Sequence, residues 1–233
     1  MIENTFHKIG TLDDAMKHIR DGVRLMVGGF GGVGSPPLLC KEIAERGIKD
    51  IVLISNDAGF PEVGIGPCVK AGQVSKMITT HIGSNPFAGK LMNEGLMDVE
   101  FIPQGTFYEQ IRAGGMGLGG VLLDTGIDSE ITDHMDRYDL DGHEYLIAPA
   151  ITGDVAILYA KKADPYGNLI YDKTARCSNP IMATACKYVI VQTEEIVELG
   201  ALDPDEIVTP GIYVDMIITG KGGEWTWAWE QKK

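Results

Sequence analysis

Long apolar runs are missing from this sequence of 233 residues. No segment approaches the roughly 18 apolar residues of a membrane-spanning helix. Met1 to Gly10 carries Glu3 and no apolar core, so a secretory leader is not expected and a cytoplasmic location is. Basic residues are scarce: 20 Lys plus Arg stand against 33 Asp plus Glu, a formal charge of −13. Such a surface repels nucleic acid and anionic membrane, so neither is expected as a partner. An anionic ligand would need a local pocket rich in amides or positive charge. The four cysteines, at 40, 68, 177 and 186, form no C-x-x-C pair. That argues against a zinc knuckle or redox dithiol, and no metal centre is expected. Free thiols in a reducing compartment are the plain reading. No internal repeat or low-complexity linker divides the chain, so residues 1–233 are read as a single domain.

What is present is ordinary globular composition, 44% apolar and 23% charged, with one exception. Thirty glycines are many and they cluster, which implies loops that need tight turns or close backbone approach. The apolar runs are short and rich in β-branched residues: Val23–Val27, Ile51–Ile54, Val155–Tyr159, Tyr188–Val191 and Met216–Ile218. These read as buried strands. Helices are expected from Thr11, a cap followed by Asp13 and Asp14, to about Arg20. A second is expected over Pro36–Arg46, capped by Ser35 and ended by Gly47. A third is expected over Thr106–Ala113. Alternating strands and helices predict an α/β fold, a largely parallel sheet flanked by helices. In the second half, Val155–Tyr159, Asp164–Asn168 and Leu169–Tyr171 predict an antiparallel hairpin. Trp225-Thr-Trp-Ala-Trp229 alternates as an edge strand or partner contact would.

The strongest local signal is the strand-to-helix turn Gly28-Gly-Phe-Gly-Gly-Val-Gly-Ser35. Gly29, Gly31 and Gly34 have dinucleotide-fingerprint spacing, and free amides at a helix start favour anions. The ribose-binding acid expected about 20 residues on is poorly placed, since Asp57 comes too late and Asp50 precedes its strand. An NAD-binding enzyme is therefore one reading of the loop, and a ligand-free turn is another. Asp124–Glu144 holds eight acidic residues with His134 and His143. A calcium-loop alignment on Asp141-Gly142 puts Arg137 at position one and Ala148 at position twelve, so a solvated acidic loop is expected. His81 follows Thr79-Thr80 at an expected strand end, the edge where α/β folds bind ligands, although a lone histidine is more often structural. Lys161, Lys162 and Lys173 are candidates for phosphate contact. Glu194 and Glu195, adjacent in a strand, should point to opposite faces and not act together.

Val-Gly-Gly-Phe-Gly-Gly-Val-Gly-Ser-Pro resembles the signature of the α subunits of family I CoA transferases. So do Phe101-Ile-Pro-Gln-Gly-Thr106, Glu109–Gly115, Ala150–Asp154, Lys162–Asp164, Gly167-Asn168 and Thr193–Val197, in the family's order. The resemblance implies one half of a heterotetramer that moves CoA from an acyl-CoA to a free acid such as acetate, butyrate or acetoacetate. It implies a covalent route through a glutamyl-CoA thioester on a β subunit partner. No bound cofactor is expected, CoA entering as a substrate thioester. The family's nucleophile context, Ser-Glu-Asn-Gly, does not occur here; the nearest strings are Glu3-Asn4-Thr5 and Asn93-Glu94-Gly95. The resemblance assigns Gln104 as the oxyanion-stabilising side chain. A neutral amide can do this without a proton equilibrium. It assigns Gly28, Gly29, Phe30, Gly31, Gly32, Gly34 and Gly105 to the substrate-binding wall. Phe30 could close an acyl pocket or anchor the core. A non-catalytic CoA-ester-binding subunit remains the other alternative.

Overall fold

A computed structural model describes residues 2–221; the Trp225–Trp229 segment lies outside them. In chain order the first half is α1 (Leu12–Met16), β1 (Arg24–Val27), α2 (Pro37–Arg46), β2 (Ile51–Ser55), α3 (Gly66–Lys70), β3 (Val74–Thr79), α4 (Pro86–Asn93), β4 (Asp98–Phe101) and α5 (Gln104–Gly115). The second half is β5 (Gly120–Leu123), β6 (Arg137–Leu140), β7 (His143–Pro149), β8 (Gly153–Ala163), β9 (Leu169–Ile170), α6 (Asn179–Thr184), β10 (Cys186–Ile196) and β11 (Met216–Thr219). The large sheet runs β11-β10-β8-β1-β2-β3-β4. Every pair along that path is parallel, and β9 folds back antiparallel on β8. The expected α/β architecture and the hairpin are both present. Ala163 pairs with Leu169, leaving Asp164–Asn168 as the turn. Asp164 holds that turn through the amides of Gly167 and Asn168, each at 3.0 Å.

Alternation along the strands sends side chains to two cores, one on each face. Leu25 and Val27 of β1 pack with Leu39 and Ile43 of α2 and with Cys68 and Val69 of α3. Met26, between them, packs on the other face with Phe107 and Ile111 of α5 and Met182 of α6. Parallel strands buried on both faces read as continuous apolar runs, which is why they were conspicuous in the sequence.

Four local expectations are corrected. The first helix ends at Met16, not near Arg20. Thr11 does cap it, in a reciprocal box with Asp14. Beyond Met16 the bonds tighten to three-residue spacing, as in His18 N–H to Ala15 O, and still deliver Ile19 to the core. Ser35 does not cap α2. Its hydroxyl donates to Gly28 O at 2.8 Å, and the Leu38 amide is met instead by Gln192 Oε1 at 2.9 Å. Helix α5 begins at Gln104 rather than Thr106, because the Phe107 amide reaches back to Pro103 O. The acidic stretch is more than a loop. Its second half enters the hairpin β6–β7, whose β7 pairs antiparallel with β5 in a separate three-stranded sheet. Asp141 (φ 55°) and Gly142 (φ 81°) form its two-residue corner, the conformation that Asp-Gly favours.

Candidate active site

The strand order reverses between β1 and β8: β1 leads toward β4, while β8 leads toward β11. In open parallel sheets, ligands settle outside the strand ends at such a point. Here this chain occupies most of that crevice itself. Asn179, at the start of α6, accepts from Tyr159 N–H and donates to Gly34 O and Ala175 O. A Cβ on Gly28 would overlap Asn179, and one on Gly34 would overlap the Ala175 carbonyl. The Gly29 amide is taken by Ser178 Oγ at 3.2 Å. The space bounded by Gly28, Gly29, Gly32, Ser35 and Asp57 is about 10 Å³. Gly29 and Gly34 of the fingerprint serve close packing of the chain on itself, and a pyrophosphate has no room there.

Open space lies one step outward, on either side of Phe30 and Gln104. One cavity of about 440 Å³ is walled by Phe30, Gln104, Tyr108, Cys177 and Ile181, with Glu109 and Arg112 at its side. The other, about 490 Å³, is walled by Phe30, Gly31, Asn56, Asp57, Phe60, His81 and Gln104. Phe30 is 53% exposed, so it is a cavity wall and not a core anchor. Of the candidate site residues, Gln104, Phe30 and Gly31 meet at this partition. Gly28, Gly29, Gly32 and Gly34 lie behind it, and Gly105 packs toward Thr125.

Gln104 is the first residue of α5. Its Nε2 donates to Asn56 Oδ1 at 2.7 Å, and Tyr108 Oη donates to the same oxygen at 2.9 Å. Asn56 Nδ2 donates to Asp57 Oδ2 at 2.9 Å. Asp57 also receives the amides of Gly31 (2.7 Å) and Gly59 (2.9 Å), so one carboxylate joins the turns after β1 and β2. Burial, reinforced by the Cys177 thiol beside it, pushes the Tyr108 hydroxyl well above the usual phenol range. Glu109 is bound to Arg112 at 2.6 Å. Both carboxylates on the cavity walls, Glu109 and Asp57, are thus engaged by donors of this chain.

Other candidates fall elsewhere. Lys161, Lys162 and Lys173 are paired with Glu194, Glu195 and Asp172. Those partners, Tyr159 and Lys161 for Glu194 and Lys162 for Glu195, keep the adjacent glutamates apart. Glu94 closes α4 beside Lys90. Asn56, Asp57 and Tyr108 were not singled out as site residues. The signal was a polar Ser-Asn-Asp trio closing an apolar strand, at the sheet edge where ligands bind.

Residues 9–220 match the family model described as Coenzyme A transferase. A probable coenzyme A transferase subunit alpha of Bacillus subtilis is 49% identical over 97% of this chain and 99% of its own length. The acetate CoA-transferase subunit alpha of Escherichia coli is 44% identical, over 92% of this chain and 97% of its own. Among solved structures, an acyl-CoA transferase from E. coli O157:H7 in a thioester complex with CoA superposes with a TM-score of 0.83 at 22% identity. That match covers 91% of this chain and 49% of the other, so this chain spans about half the length of that enzyme. Glutaconate coenzyme A-transferase from Acidaminococcus fermentans superposes at 0.78 and 23% identity, covering 91% of this chain and 75% of that one. With the family model over nearly the whole chain and two relatives above 40% identity, the chain belongs to the Coenzyme A transferase family and groups with its α subunits.

Proposed function

We propose that this chain is the α subunit of a short-chain acyl-CoA:carboxylate CoA-transferase, active in the cytoplasm as a heterotetramer with a β subunit. The observation that carries the reading is the amide of Gln104, set between two open cavities whose own carboxylates are engaged. Such a site can stabilise charge but has no unengaged carboxylate to form the anhydride, which is what one half of a shared active site requires. The β subunit glutamate attacks the thioester carbonyl, and the negative charge that develops on the carbonyl oxygen is met by Gln104 N–H. The tetrahedral adduct collapses by expelling CoA thiolate, leaving an acyl–glutamyl anhydride. The thiolate attacks the glutamyl carbonyl of that anhydride and releases the acid, leaving glutamyl-CoA. A second acid repeats these steps in reverse. A carboxylate nucleophile retains the thioester's energy, since anhydride and thioester interconvert. Phe30 and the apolar walls beside it exclude water that would hydrolyse the anhydride. The acetoacetyl-CoA:acetate/butyrate CoA transferase alpha subunit of Clostridium acetobutylicum, 39% identical over 91% of this chain, supports acetate, butyrate and acetoacetate as the acids to try first.

The test is CoA transfer from acetoacetyl-CoA to acetate or butyrate by the chain alone and with a β subunit. Turnover is expected only in the mixture. Gln104→Ala should lower kcat about 100-fold, the usual loss for one oxyanion donor. Turnover by the chain alone, or an unchanged kcat in Gln104→Ala, overturns the reading.

A further inference from the structure

A glutamine amide can present either its oxygen or its NH2 group to a cavity, and only the second stabilises an oxyanion. The terminal torsion that exchanges them is soft, so neighbouring groups decide. Around Gln104 the decision can be followed outward from Asp57. That carboxylate accepts from two backbone amides, Gly31 N–H at 2.7 Å and Gly59 N–H at 2.9 Å. A carboxylate has no hydrogen to donate, so the amide end of Asn56 that meets it at 2.9 Å must be Nδ2. Asn56 is 2% exposed, and its backbone carbonyl is fixed by the hydroxyls of Thr79 and Thr80. Its Oδ1 is thereby turned toward α5. There it accepts from Tyr108 Oη, a phenol that carries its proton at neutral pH. It also faces Gln104 at 2.7 Å, and an oxygen facing Gln104 accepts only the NH2 end. One Nε2 hydrogen is fixed by Asn56, and the other is left for the cavity.

We propose that Asp57 and Asn56 are positioning residues: they set a one-way chain of hydrogen bonds, Gln104 to Asn56 to Asp57, that holds the Gln104 amide with an N–H presented to the reacting carbonyl oxygen. This rests on the reading of Gln104 as the oxyanion donor. Asp57 acts at a distance, through two hydrogen bonds. The same carboxylate ties the glycine turn after β1 to its neighbour after β2, so the oxyanion donor and the Phe30 wall share one anchor.

The test is a double-mutant cycle in the assembled αβ enzyme. Asparagine at 57 can donate as well as accept, which releases the order of the chain. Asp57→Asn should lower kcat about tenfold with KM nearly unchanged, as a modest misplacement of a catalytic group does. In a Gln104→Ala background the same change should lower kcat no further, because the group it orients is gone. Melting temperatures measured on all four proteins separate this from loss of fold. A wild-type pair without transferase activity overturns the reading of the site and this inference with it. An active wild-type pair, with Asp57→Asn unchanged in kcat or lowering it equally in both backgrounds, overturns the inference alone.

Discussion

After β1 the chain turns through Gly29-Phe30-Gly31-Gly32-Val33-Gly34, and after β2 through Gly59-Phe60-Pro61-Glu62-Val63-Gly64. Phe30 and Val33 exchange backbone hydrogen bonds at 2.9 and 3.0 Å, and Val63 N–H reaches Phe60 O at 3.0 Å. The flanking glycines all have positive φ: 106° and 77° in the first turn, 65° and 63° in the second. A six-residue unit is therefore repeated across neighbouring strands, correcting the expectation of no internal repeat. The corners differ. Gly31 (φ 55°) and Gly32 (φ 92°) make a left-handed corner, which Gly-Gly adopts without strain. Pro61 is fixed at negative φ. The surroundings differ too. Residues 175–179 clamp the first turn, whereas Ser84 and Asn85 secure the second through Gly59 O, Ala58 O and Gly66 O. The same backbone device thus serves twice, and its chemical use depends on what packs on it.

The largest expected contrast is between Gly34 and Gly64. Alanine at 34 would be strained by φ and driven into the Ala175 carbonyl, whereas at 64 the nearest atom to a Cβ is 3.6 Å away. Gly34→Ala should cost about 3 kcal/mol or more, from left-handed strain plus overpacking. Gly64→Ala should cost about 1 kcal/mol, from strain alone. At this chain length the first should lower Tm by about 6–12 °C and the second by about 2–4 °C. Equal losses in thermal unfolding would mean that the 175–179 segment does not pin the first turn.

The aromatic positions should separate in the opposite sense. Phe30 walls both cavities and is half exposed, while Phe60 is less exposed and walls one. Phe60→Ala should therefore cost about 2 kcal/mol of stability, less than a fully buried phenylalanine. Phe30→Ala should cost under about 1 kcal/mol. Its effect belongs in binding: KM for the acyl-CoA should rise about tenfold, or roughly 1.4 kcal/mol. Denaturant unfolding and steady-state kinetics on the αβ enzyme read the two axes. A Phe30→Ala variant that loses stability but keeps KM would return Phe30 to the core.

How much of this was legible in the sequence follows from how local each cause is. β1 and β2 were legible because strands buried on both faces carry unbroken apolar runs, Leu25–Val27 and Ile51–Ile54. The cap of α2 was not, because Ser35 bonds back to Gly28 and the helix start is met by Gln192, 154 residues further on. The β6–β7 hairpin carried its Asp141-Gly142 corner in plain view, but β6 is exposed along its whole length and its charged residues read as loop. Gln104 was found through a family segment. Asn56 and Asp57 were passed over because their meaning lies in partners from 31 to 108, which share no pattern with them in the sequence.

The smallest effect tests whether the corners are interchangeable. Pro61 stiffens the unfolded chain at a corner whose backbone it already suits, so replacing it by glycine removes only that advantage. Pro61→Gly should cost about 0.5–1 kcal/mol, lowering Tm by about 1–4 °C. Because Asp57 holds this turn by the Gly59 amide, upstream of the corner, kcat and KM should not move. The second corner would then be a replaceable part of the scaffold. The first corner is held at its apex, where the Gly31 amide meets Asp57, so a change there alters the anchor itself. A Pro61→Gly variant with impaired kcat would show that the two turns move together, and that the carboxylate between them transmits strain in both directions.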